Sequence, residues 1–146
     1  MRRSTIAVAM AVLLVAGTAA AQVGKLRTTS PPGAAVYFVY PRDGATVPPE
    51  FTVRMGLKSG MGIAPAGVEK ANTGHHHLLI DTDLKSMDEP IPADRNHLHF
   101  GNGQTEAKVS LRPGRHTLQL VLGDQDHVPH QPPVISTKIT VNVAPQ

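Results

Sequence analysis

Cysteine and tryptophan are missing from this 146-residue chain, and other aromatics are few: two tyrosines and three phenylalanines. Without cysteine there is no disulfide, no lipidated N-terminal cysteine, no thiolate copper centre and no cysteine nucleophile, so a folded state must rest on a packed core. The scarcity of aromatic rings argues against stacking platforms for glycans or single-stranded nucleic acid. Long apolar runs are lacking too. The longest, Ile6 to Ala16, falls well short of the ~20 residues that span a bilayer, so no transmembrane anchor is expected. Nor is there an excess of either charge: apart from Arg2 and Arg3, twelve basic residues face eleven acidic ones. That balance gives no electrostatic footprint for nucleic acid or an anionic membrane. The sequence has no G-x-S-x-G elbow, no phosphate-binding glycine loop and no dinucleotide fingerprint, and nothing marks a catalytic residue.

The opening Met1-Arg2-Arg3, the apolar stretch after it and Ala19-Ala20-Ala21 have the layout of a secretory signal with an A-x-A cleavage site. Residues 1–21 are therefore read as a signal peptide, 22–34 as a flexible polar lead-in and 35–146 as one domain, exported to the periplasm or beyond. The remaining length suits a single core that buries about two-thirds of the unfolded surface.

Period-two alternation dominates that domain. Val36 to Tyr40 is β-branched and aromatic and stops at Pro41-Arg42-Asp43-Gly44. Phe51, Val53, Met55 and Leu57 alternate with Thr52, Arg54 and Gly56. Further strands are expected around 75–80, 97–100, 107–111 and 116–122. A last strand is expected to set Ile135, Ile139, Val141 and Val143 on one side. Glycine and proline, thirteen of each, cluster between these runs. The pattern gives six or seven short strands, no amphipathic helix and no internal repeat. It predicts an all-β fold, a small antiparallel immunoglobulin-like β-sandwich.

Against five phenol and phenyl rings stand eight histidines. Two His-x-His words organise them: His75-His76-His77 within one strand and His97-Leu98-His99 in another. Alternate strand residues share a face about 6.6 Å apart, so each pair can address one metal ion through bonds of roughly 2 Å. His75, His77, His97 and His99 are the expected ligands, with His127 as a possible substitute from the loop His127-Val128-Pro129-His130. His76 falls on the opposite face with Leu78 and Ile80, a packing or supporting position. Asp81, Asp124, Asp126 and His130 are candidates to hold imidazole N–H groups and fix tautomers. An all-nitrogen set in an exported, cysteine-free chain suits Zn(II) or Cu(II). A lone His-x-His pair on a polar face is more often incidental than metal-binding. His116, on a leucine face, is read as a core histidine with hydrogen-bonded nitrogens. The neighbouring Asp126 and His127 offer an acid–base pair in principle, a weaker reading than metal binding because adjacent residues seldom face one another.

The words GHHHLLID, PIPADRNHLHFGNGQTE, LRPGRHTLQLVLGDQDHVPH and PPVISTKITVNV resemble a bacterial exported family catalogued only as a domain of unknown function. The resemblance covers roughly residues 36–143 and implies a small domain behind a signal peptide, with no reaction, ligand or site residue attached. Three functions follow from the residues. The first is a non-catalytic envelope module binding zinc or copper. The second is an interaction or structural domain with hydrogen-bonded histidines, its loops meeting an envelope protein or polymer. The third is a metal-assisted hydrolase or oxidoreductase, which needs an open coordination position as well.

Overall fold

The computed structural model describes residues 26–146, and the expected signal peptide lies outside the described residues. Strands run in the order β1 (Ala35–Tyr40), β2 (Thr46–Val47), β3 (Glu50–Lys58), β4 (Gly62–Ile63), β5 (Thr73–Ile80), β6 (His97–His99), β7 (Glu106–Ser110), β8 (Gly114–Gly123) and β9 (Ile139–Val143). They form two sheets, β1-β3-β7 and β2-β9-β8-β5-β4, with β6 also paired to β5. No helix occurs among the described residues, and none there is long and apolar enough to cross a membrane.

The expected alternation sets the inner faces. Val36, Phe51, Val53, Met55 and Val109 from the three-stranded sheet meet Leu78, Ile80, Leu118, Leu120, Leu122, Val141 and Val143 from the other. Each fully buried leucine is worth about 1.5–3 kcal/mol, the scale of stabilisation that a chain without disulfides requires. The result is the β-sandwich expected from the alternation.

Strand β5 departs from simple alternation because all eight of its residues are buried. Its inner face carries His76, Leu78 and Ile80. Its outer face carries His75, His77 and Leu79, and a second small apolar cluster of Leu79, Val121 and Ile91, flanked by Leu84 and Ile135, covers part of it. A sheet roofed on both sides needs no polar face, which accounts for a strand apolar in both parities.

The last strand corrects the expected pattern. It begins at Ile139, and Ile135 lies apart from it, bridged to Val121. Leu118 pairs with Ile139, so three steps along β8 are matched by four along its partner. The extra residue is a bulge that reverses the parity. Ile135 therefore packs on the outer cluster while Ile139 faces the core. Ser136 fills the irregularity, its Oγ accepting the Leu120 N–H at 2.9 Å.

Candidate metal centre

The ladder of β5 builds the site. His77 lies opposite His99 on β6, and on the other side His75 and His77 lie opposite Gly123 and Val121 of β8. Paired residues of an antiparallel ladder share a face, so His75, His77 and His99 project together from the outer side of the sheet. The Nε2 atoms of His75 and His77 are 3.0 Å apart. One donor nitrogen from each of the three rings falls within a span of 4.8 Å. His127 closes the group from the loop after β8, its ring centroid 4.7 Å from that of His99, 5.0 Å from His75 and 5.9 Å from His77.

Two glycines make room for the rings. A Cβ on Gly101 would lie 2.3 Å from Cε1 of His99, and one on Gly123 would lie 2.8 Å from Nε2 of His77. Both distances are far inside van der Waals contact, so only glycine lets the imidazoles lie on the backbone there. Gly101 lies two residues beyond the ring it cradles, whereas Gly123 meets a ring from a distant part of the chain.

The loop carrying His127 is tightly held. Asp124 is buried, and its Oδ1 accepts N–H bonds from Asp126 and Val128, both at 2.9 Å. Its Oδ2 accepts the Thr28 hydroxyl at 2.6 Å. His127 has φ +68°, its N–H donates to the Asp124 carbonyl, and its own carbonyl accepts the Ile91 N–H. The Arg27 guanidinium donates to the carbonyls of Pro129 and His130, the Ser30 N–H donates to the Gln131 carbonyl, and the Gln131 N–H donates to the Thr28 carbonyl. The described end of the segment read as a lead-in thus runs along the site loop.

Burial governs the electrostatics. His75 is pushed down to about 4, first by desolvation and then by His127 and His99, with Asp124 opposing. His77 falls to about 2, first by desolvation and then by repulsion from the surrounding imidazoles. His99 is also lowered, chiefly by desolvation. The cluster is therefore neutral at neutral pH, with lone pairs free of protons. Buried His75 Nδ1, His77 Nδ1 and His99 Nε2 have no hydrogen-bond partner. Each such orphan costs about 1–3 kcal/mol; the Nδ1 atoms of His75 and His77 lie on the ring side opposite the converging Nε2 pair, and only the His99 nitrogen is free to join that pair.

The other named residues lie elsewhere. His97 sits one step further along the same face, opposite Leu79, and its Nδ1 is 2.9 Å from the Asp94 carboxylate. His76 is on the core side, fully buried, with both ring nitrogens unpartnered and its pKa lowered to about 4 by desolvation. Asp81 is at the far end of β5, where it holds His116 Nδ1 at 2.6 Å and the Thr117 N–H at 2.8 Å. His116 also donates from Nε2 to the Arg112 carbonyl, so its nitrogens are satisfied as expected. Fully buried His130 donates from Nε2 to the Thr73 carbonyl at 3.1 Å, pinning the loop to β5. Asp126 lies in the loop turn, within 3.4 Å of the Gln125 amide nitrogen.

Fold and site together define a small two-sheet β domain with a buried histidine cluster on the outer face of one sheet. The chain belongs to the family described as Domain of unknown function (DUF4399), which matches residues 53–144. No curated protein matches it. Among solved structures it is similar to the fibronectin(III)-like modules of CbhA from Clostridium thermocellum. The identity there is 12% and the TM-score 0.39, over 75% of this chain and 95% of that one.

Proposed function

We propose that this domain is an exported, non-catalytic metal-binding module of the cell envelope, taking a zinc or copper ion on His75, His77 and His99, with His127 at its margin. The observation that carries the reading is the convergence of three imidazoles whose donor nitrogens lie within 4.8 Å of one another. Tetrahedral ligands about 2 Å from a metal are spaced roughly 3.3 Å apart, close to the separation of the His75 and His77 donors. Neutral donor rings and the unpartnered, buried Nε2 of His99 fit the same role.

Export is the companion of this reading, resting on the signal-like N-terminus. Metal-free protein reloaded with Zn(II) or copper should carry about one equivalent by elemental analysis, the occupancy expected of one three-imidazole site. His77→Ala combined with His99→Ala should abolish it. Unchanged stoichiometry in that variant would remove the cluster from the site.

A further inference from the structure

The gathered donors are uncharged when they hold a metal, because a coordinating imidazole is neutral. Among the described residues no carboxylate joins the donor group, and the chain has no thiolate to offer. Asp124 follows Gly123, the residue paired with His75 across the ladder, and its buried carboxylate is the acidic side chain that acts on that ring. Its oxygens are already engaged by the Asp126 and Val128 N–H groups and the Thr28 hydroxyl. It supplies one fixed negative charge and is held back from turning to ligate. The Born cost of burying an ion rises as the square of its charge, about fourfold from a monocation to a dication. A monocation beside one carboxylate leaves the neighbourhood neutral. A dication leaves one positive charge uncompensated in a place where His75 and His77 are fully buried.

We propose that the site is selective for Cu(I), held by His75, His77 and His99, with Asp124 as its counter-charge. The inference rests on the metal-binding reading above and narrows it to one ion. Three donors satisfy a low-coordinate d10 monocation on their own, whereas Zn(II) must add a water as its fourth ligand and Cu(II) takes a tetragonal set. The nitrogens of His127 stand outside the group of converging donors, which agrees with three-coordination.

The test is anaerobic competition of the purified chain against a chromogenic Cu(I) chelator and, separately, against a Zn(II) chelator. Cu(I) should bind at one per chain, with a Kd roughly a hundredfold below that of Zn(II). Asp124→Asn supplies the second arm. Coulomb energy is proportional to the charge of the ion, so a loss of about tenfold for Cu(I) should accompany a loss of about a hundredfold for Zn(II). Equal losses for both ions would mean that Asp124 acts only by shaping the loop, and would overturn its role as counter-charge. Zn(II) binding as tightly as Cu(I) in the wild-type chain would overturn the selectivity and leave the metal-binding reading standing. Binding of neither ion would remove both.

Discussion

At the scale of single residues, burial changes the acid behaviour of the site. Ordinary imidazoles titrate near 6.5, which would release a metal below about pH 6. Here His75 and His77 are depressed to about 4 and about 2, so protons compete only at lower pH. Bound metal should persist to about pH 5, and elemental analysis after equilibration across pH 4–7 checks this. Release centred near pH 6.5 would show that the rings are solvated. Gly101→Ala and Gly123→Ala should each displace a ring and weaken metal binding by more than about tenfold, with an overpacking cost of about 1–3 kcal/mol read from denaturant unfolding. His97→Ala is the contrasting case. Its ring faces Asp94, so metal stoichiometry should be unchanged. Strand parity in the sequence put His75 with His77 and His97 with His99, and the register that sets His77 opposite His99 came from the fold. Parity did not separate His97 from His99, which share it; the local Asp94-x-x-His97 spacing, whose carboxylate holds the His97 ring, is the signal that does. The Gly123 cradle was hidden because it meets His77 only across the ladder.

At the scale of elements, the stretch Arg27–Ser30 and the loop Asp124–Gln131 behave as one unit. Thr28→Val removes the hydroxyl that donates to Asp124 and leaves a buried carboxylate oxygen short of a bond, a cost of about 1–3 kcal/mol. Amide exchange should accelerate at Asp126 and Val128, whose N–H groups Asp124 accepts, while the core amides of Leu118 and Leu120 keep their protection. Uniform acceleration across the chain would show that the loop does not open locally. The longer strands were legible because their alternation is strong. The two-residue strands β2 and β4 were not, since two residues carry no period. The bulge beside Ser136 escaped because one extra residue reverses a parity without altering the run of apolar residues, so Ile135 was expected on the wrong side.

At the scale of the whole molecule, the two-sheet fold followed from alternation, turn residues and the absence of helical periodicity. Its stability depends on an apolar core together with histidines that must stay neutral. His75, His76, His77 and His99 all have pKa values lowered by burial. Below about 6.5 the unfolded chain takes up protons that the folded chain refuses, so the stability of the metal-free protein is full above that pH and falls as pH drops toward 4. His116, raised by its bonds to Asp81 and Arg112 against the opposing effect of burial, works in the opposite sense: its contribution is present below 6.5 and fades as pH rises through its own pKa. Denaturant unfolding between pH 4 and 8 should show the first trend dominating. A flat profile would mean that the four rings are not desolvated.

The most direct measurement is a crystal structure of the copper-loaded chain with an anomalous difference map at the metal edge. A single strong peak should lie among His75 Nε2, His77 Nε2 and the His99 ring. A peak at His97 and Asp94, at His116 and Asp81, or no ordered peak would contradict the account.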